Sequence, residues 1–424
     1  MENTDYKPRL IDGLVTEYLE TFGALCIEGP KWCGKTWTAQ HHAASAISLG
    51  DPAGGFLNRQ LAKEDPNLIL DGAPPRLIDE WQEEPPIWDA VRFRVDAQRA
   101  RGQYILTGSA TPPHKGVLHG GTGRFGKLRM RPMSLFESGD STGVVSLREL
   151  CEGHLSPAIT GEVSLKHIIS LIVRGGWPGS LGLAEKQARR VPSEYLKIVL
   201  EDDIYRLDGV RRDVAKMRLL LRSLARNEST TISNKGLAKD IRAIDDADID
   251  RETVAAYLDV FDRLFLTENQ PPYAENLRSS VRIHQSVKRH LADPSLACAL
   301  LNTTPEALLR DLNTLGFLFE ALCERDLRIY ADTFGAKLYH YRDYANREAD
   351  AVLELENGRW CAFEIKLGAG QIDTAAQSLL RLRDALEKDA ARPPHVLAVI
   401  CGMSRAAYRR PDGVFVLPIT ALRN

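Results

Sequence analysis

The sequence predicts an α/β protein of two or three domains, and three observations carry that reading. First, a chain of 424 residues exceeds what one compact core holds, since domains run to roughly 100 to 200 residues. Second, the apolar run Ala24 to Ile27 leads straight into a loop bearing Gly29 and Gly34, and further short apolar runs end at Leu77-Ile78 and at Tyr104-Ile105-Leu106. Third, helix and strand patterns between Leu308 and Ile400 follow the order α-β-β-β-α-β.

With 44% hydrophobic and 26% charged residues the composition is that of a folded globular chain, and no long polar or low-complexity tract points to disorder. No run approaches 18 apolar residues, and Met1 to Leu10 carries charges where a signal peptide needs an apolar stretch, so a cytoplasmic protein without membrane contact is expected. The seven cysteines are widely spaced, without a CxxC pair, which predicts reduced thiols rather than a disulfide framework or a zinc site. A net charge of −2 and a pI near 6.6 give no global positive field for nucleic acid. Local basic clusters, Arg124 to Arg131 and Arg206 to Arg226, read as solvated faces.

The loop Gly29-Pro30-Lys31-Trp32-Cys33-Gly34-Lys35-Thr36, followed by Trp37, has the residue types of a triphosphate cradle. Its glycines let backbone N–H groups face phosphate, Lys35 reaches the β and γ oxygens, and Thr36 offers a hydroxyl to Mg²⁺. The strand at Leu77-Ile78 ends in Asp79-Glu80, where Asp79 suits the metal and Glu80 suits activation of the attacking water. A third strand runs into Thr107-Gly108-Ser109, whose hydroxyls suit a γ-phosphate sensor. Cys33 reads as a space-filling residue. His41 and His42 read as helix-surface histidines, because adjacent helical residues diverge by about 100°. His114 and His119 lack acid or thiol partners in sequence and receive no role.

Together the Gly-Pro-x-x-x-Gly-Lys-Thr, Leu-Ile-Asp-Glu-Trp-Gln and Ile-Leu-Thr-Gly-Ser stretches resemble a prokaryotic family of AAA-type P-loop ATPases that carry a C-terminal domain of unknown function. The resemblance implies ATP and Mg²⁺ as cofactors. It also implies a domain layout of an AAA-type parallel-sheet domain at 1–140, a helical and winged-helix middle at 141–295, and a restriction-endonuclease-like α/β domain at 296–424. Arg124, in the Gly-Arg stretch, is the implied γ-phosphate arginine, in cis or across a subunit contact, with Arg129 and Arg131 as alternatives. Gly139 to Gly143 reads as a linker and Arg174-Gly175-Gly176-Trp177-Pro178-Gly179 as a rigid hinge. Helices at 235–241 and 251–265 flank a turn and a wing start at 266–270, but Asp250, Glu252, Asp259 and Asp262 ill suit a DNA-reading face, so packing or partner docking is expected.

In the C-terminal pattern, the resemblance to a PD-(D/E)xK nuclease fold makes Asp350 the lone acid and Glu364-Ile365-Lys366 the ExK element. Glu356-Asn357-Gly358 suits a three-residue hairpin loop, which pairs Leu355 with Arg359 and sets Asp350 opposite Glu364. A two-residue turn would separate the carboxylates, and the apolar partition of the strands decides for the longer loop. Opposed Cβ atoms stand about 4.5 to 5.5 Å apart, close enough for Asp350 and Glu364 to share Mg²⁺, with Lys366 on the same face to steady a hydroxide or the phosphate and Glu320 as a further ligand. The register sends Ala351, Leu353, Leu355, Cys361, Phe363 and Ile365 to a buried face and leaves the acids on the other.

Two functions follow as expectations: an ATPase switch that gates cleavage of DNA or RNA, or a nucleotide-regulated interaction protein with a non-cleaving nuclease-like domain. A homo-oligomer or a protein partner suits either.

Overall fold

The computed structural model describes residues 6–111, 120–245, 249–274, 286–343, 345–389 and 391–424. His114, His119 and part of the expected 245–250 turn lie outside the described residues. The chain forms two compact units, one of Met1–Pro132, Glu201–Arg212 and Asp259–Leu266, the other of Met133–Leu200, Asp213–Leu258 and Thr267–Asn424. Residues expected to form one middle domain are thus divided between both units.

The first unit holds five parallel strands, β1 (Ala24–Glu28), β2 (Ser45–Ser48), β3 (Arg76–Asp79), β4 (Tyr104–Gly108) and β5 (Phe125–Arg129), in the order β2-β3-β4-β1-β5. Parallel strands are covered on both faces, which explains why they read as continuous apolar runs. Alternate residues feed two cores: Ala24, Cys26, Ile78 and Leu106 join Trp88 and Val91, while Leu25, Ile27, Leu77 and Ile105 join Val15 and Ala39. Because Glu28 aligns with Gly108 and Asp79 with Thr107, the chemistry-bearing strand ends share one edge of the sheet.

The second unit carries a seven-stranded sheet of order β7-β12-β13-β11-β10-β9-β8 and a two-residue pair, β6 (Val145–Ser146) with β14 (Leu422–Arg423). The sheet strands are β7 (Ala158–Ile159), β8 (Lys337–Arg342), β9 (Glu348–Glu354), β10 (Trp360–Lys366), β11 (Val396–Cys401), β12 (Ala406–Arg409) and β13 (Phe415–Pro418). The segment from helix Leu312–Asp332 through β8, β9, β10 and helix Ile372–Lys388 to β11 keeps the α-β-β-β-α-β order read from sequence. That first helix begins later than the expected Leu308, because the Asp311 side chain accepts the Thr314 N–H at 3.1 Å and caps a new helix after Pro305–Arg310.

The β9–β10 register is the one the three-residue loop dictates: Glu354 pairs with Trp360, Leu353 with Cys361 and Ala351 with Phe363, with Gly358 at φ +76°. The expected division into one buried and one acid-bearing open face is corrected by the packing. Ala351, Leu353, Cys361 and Phe363 are buried, but so are Val352, Trp360 and Ala362, which pack with Ala375, Ala376 and Leu379 of helix Ile372–Lys388. The acids therefore emerge at the end of a sheet covered on both sides.

The stretch read as a linker, Gly139 to Gly143, is held in place: Arg174 pairs with Asp140 at 2.6 Å and Ser141 Oγ donates to Leu422 O at 2.6 Å. The stretch read as a hinge is buried and fixed. A Cβ at Gly176 would lie 2.2 Å from Met133 O, Met133 N donates to Gly176 O at 2.6 Å, and Trp177 is fully buried. Helices Asn234–Asp245 and Arg251–Arg263 form near the expected positions, and antiparallel bridges join Thr267 to Leu291 and Gln270 to Lys288. All seven cysteines are buried and free of disulfides. Among the described residues no helix is long and apolar enough to cross a membrane.

Candidate functional site

The glycine loop leaves β1 at Glu28 and enters helix Lys35–His42. Gly34 stands at φ +105°, a conformation L side chains rarely adopt, and a Cβ at Gly29 would lie 2.1 Å from Met130 O. Lys35 is 6% exposed and its ammonium donates to Gly29 O at 2.9 Å and Pro30 O at 2.8 Å, so the cation is held inside the curve of the loop. Trp32, at φ +66°, is 67% exposed and Trp37 is 49% exposed, whereas Cys33 is fully buried, in keeping with a space-filling role. Lys31 reaches outward to Asp203 at 2.6 Å. Arg9, unnoticed in the sequence, donates to Cys33 O at 2.7 Å and to Arg131 O at 2.9 Å, tying the loop to the segment after β5.

Below the loop, three strand ends converge. The Thr36 hydroxyl donates to Asp79 Oδ1 at 2.8 Å and the Thr107 hydroxyl donates to the same oxygen at 2.5 Å, while Ser48 Oγ donates to Asp79 Oδ2 at 3.3 Å. Hydroxyl and carboxylate oxygens side by side form the donor type that a hard divalent cation takes. Thr107 Oγ1 in turn accepts the Glu80 N–H at 3.2 Å. Glu80 adopts φ +60°, ψ +44°, a left-handed conformation that costs a non-glycine residue roughly 1 kcal/mol or more. Its carboxylate accepts from Ser109 Oγ at 3.1 Å and from the Gln82 amide. Ser48 was not singled out in the sequence, and Gln82, which closes the Leu-Ile-Asp-Glu-Trp-Gln stretch, had no role assigned to it.

Arg124 is not brought to this edge. It precedes β5, where Phe125 pairs with Ala24 at the opposite end of β1, and it is paired with Asp96 at 2.8 Å. Five residues separate it from Arg129, which pairs with Glu28; at about 3.3 Å per residue that is roughly 16 Å. Strand direction thus carries Arg124 away from the loop of its own chain.

In the second unit, Lys366 Nζ lies 2.9 Å from Asp350 Oδ2 and 2.5 Å from Glu364 Oε2. The structure thus brings together the three residues read as a nuclease-like element, with the ammonium between the two acids. Asp350 Oδ2 also accepts the Ile365 N–H at 2.7 Å. Burial opposes ionisation of Asp350, but Lys366 and Lys288 outweigh it and lower its pKa, whereas burial and then Asp350 raise that of Glu364. Glu320 lies nearby, paired with Lys288 at 2.6 Å, and its pKa is raised chiefly by burial. Among the described residues no group of three or more His, Cys, Asp or Glu is arranged to hold a metal ion.

Next to these groups is a second buried pairing that the sequence did not reveal. His290 Nδ1 lies 3.1 Å from Glu228 Oε1 and Nε2 lies 3.0 Å from Glu324 Oε2, with all three side chains at most 5% exposed. Burial opposes the imidazolium, yet Glu324 and Glu228 push its pKa up to about 9 from 6.5. A pKa raised on folding stabilises fully below 6.5, and that stability is lost as pH rises through about 9. Urea unfolding of the second unit at pH 6 and at pH 9.5 is expected to differ by up to about 3 kcal/mol from this group. His290→Gln is expected to flatten the difference.

In sequence, residues 21–138 match the AAA domain family, 165–307 match a domain of unknown function (DUF8612), and 315–422 match another domain of unknown function (DUF4143). No curated protein matches the chain. Among solved structures the chain is similar to a Walker-type ATPase of Pyrococcus abyssi, with 13% identity over 70% of this chain and 97% of that one and a TM-score of 0.41. The match at 21–138 gives the chain an AAA-type P-loop ATPase domain, an ATP-binding module.

Proposed function

We propose that the protein is a Mg-ATP-dependent switch, in which ATP binding and slow hydrolysis at the glycine loop are passed to the helical middle and the C-terminal module. The observation that carries this reading is the continuous set of hydrogen bonds from Thr36 through Asp79 and Thr107 to Glu80 at the carboxyl edge of the sheet. Backbone N–H groups from Gly29 to Gly34, with Pro30, Lys31, Trp32 and Cys33 shaping the loop and Trp37 next to it, cradle the phosphates. Lys35 exchanges its loop carbonyls for β and γ oxygens. Thr36 and Asp79 would hold Mg²⁺, which neutralises charge on those oxygens when bound. Glu80 orients the attacking water and Thr107 and Ser109 read the γ-phosphate.

Transmission is supported by chain connectivity. The Asp203 carboxylate paired with Lys31 lies three residues past the crossing of the chain between units at 200/201. A loop that closes on phosphate therefore acts on a segment continuous with the second unit. Calorimetry with Mg²⁺ and ATP tests the reading: the wild-type protein should bind, and Lys35→Ala should weaken binding at least about tenfold, in line with the loss of a charge-assisted contact. No heat with any purine triphosphate would reject it.

For the C-terminal module, a nuclease-like fold with a winged-helix-like neighbour supplies a docking surface for DNA, RNA or a protein. The ExK element already includes Lys366, so the observation that favours the non-cleaving form of that module is a second ammonium, Lys288, paired with Glu320 at 2.6 Å, because it takes up an acid a metal would use.

A further inference from the structure

The acid cluster at the end of β9 and β10 holds a second ammonium group. Lys288 Nζ lies 2.6 Å from Glu320 Oε1, 2.9 Å from the main-chain Asp350 O and 3.8 Å from Glu324 Oε1, and its side chain is 10% exposed. Carboxylate and carbonyl oxygens gathered round one point are the ligand set of a hard divalent cation. Here a lysine supplies the positive charge.

Its placement is built in. Lys288 N donates to Gln270 O and Gln270 N donates to Lys288 O, both at 2.9 Å, and the Gln270 side-chain amide donates to Tyr339 O at 2.8 Å and Asp350 O at 3.3 Å. The backbone that carries the ammonium is therefore fastened to the β8 and β9 strands that carry the oxygens. A buried ammonium held this way supplies one of a divalent metal's two positive charges and none of its Lewis acidity, since it donates hydrogen bonds but does not bind and activate water.

We propose that Lys288 is a tethered cation standing in the place of a divalent metal among Glu320, Glu324 and Asp350, so that the acids are partly neutralised from within and the module docks without cleaving. This deepens the non-cleaving reading above and leaves the ATPase reading untouched. Lys288 faces Glu320, Glu324 and the Asp350 carbonyl while Lys366 faces the Asp350 and Glu364 carboxylates, and a metal entering beside Asp350 would have to displace Lys288 against the repulsion of both ammonium groups.

Nucleotide-free protein titrated with Mn²⁺, followed by the electron paramagnetic resonance of free Mn²⁺, tests the proposal in the full chain. Wild type and its Asp350→Asn variant are expected to take up the same small amount. Lys288→Met, which keeps the stem and removes the charge, and Lys288→Ala are expected to gain one site at least tenfold tighter, lost again in Lys288→Met with Asp350→Asn. Wild-type uptake that Asp350→Asn abolishes, or wild-type cleavage of single- or double-stranded DNA or RNA that needs Mn²⁺ and Asp350, would overturn it, as would folded Lys288 variants that gain no site. The wild-type arms decide the matter even where the variants fail to fold. Calorimetry with ATP on the same preparations separates this outcome from a failure of the ATPase reading.

Discussion

Glu80→Gln is expected to leave ATP affinity within about threefold of wild type and to lower turnover roughly 10²- to 10⁴-fold, the usual weight of a positioned general base. The geometry separates the two effects. Lys35 and the loop amides belong to the β1 end and the following helix, while Glu80 follows β3 and is held from β4 through Thr107 and Ser109. An amide in place of the carboxylate can still meet Ser109 Oγ, so the local fold has little reason to move, but it cannot accept a proton. The left-handed backbone at Glu80 adds to the case: a conformation that strains a non-glycine residue persists where the surroundings fix the side chain's direction. Rapid-quench measurement of phosphate release beside a calorimetric Kd reads both quantities. Turnover within threefold of wild type would remove Glu80 as the activating group.

The sequence made some of this arrangement legible because the signals are local. The apolar run at Ala24 to Ile27, the glycines after it and the acids after Leu77-Ile78 each lie within a few residues of the atoms they position. The β9–β10 register was equally readable, since a loop with glycine in the left-handed position fixes every pair behind it. The position of Arg124 was not readable from its motif. Nothing in the Gly-Arg pair says that strand direction carries Arg124 to the far end from the loop. The buried charges went unseen for a related reason. Glu324, Arg325 and Asp326 in one helix look like a solvated face, yet their partners His290, Asp293 and Leu135 are distant in sequence or hidden in an irregular segment. A signal was present in the apolar neighbours Val352, Trp360 and Ala362, which share the parity of Asp350 and Glu364 and imply a covered face.

Arg325→Met is expected to destabilise the second unit by about 3 to 5 kcal/mol, the range found when one partner of a buried ion pair is removed. Arg325 is 4% exposed on its side chain and both its partners, Asp293 and Asp326, are fully buried. Nη1 donates to Asp293 Oδ2 at 2.8 Å, and Nε and Nη2 donate to Asp326 Oδ1 at 3.0 and 2.7 Å. Burial opposes the charge of Arg325, but the two aspartates outweigh it and hold its pKa above the ordinary value. Methionine fills much of the volume and leaves two carboxylates without a cation. The same carboxylates also order backbone: Asp293 Oδ2 accepts the Gly176 N–H at 2.9 Å and Asp326 Oδ2 accepts the Leu135 N–H at 2.9 Å. Loss of the cation should therefore raise hydrogen exchange at Gly176 and Leu135 as well as lower the urea midpoint. Arg325→Lys keeps the charge but cannot donate to both aspartates in the same fork, so it should fall between the two. If Arg325→Met unfolds with the wild-type midpoint and the amides of Gly176 and Leu135 stay protected, the ion pairs contribute nothing to this unit, and the fixed turn at Gly175-Gly176-Trp177 is held by its apolar burial alone.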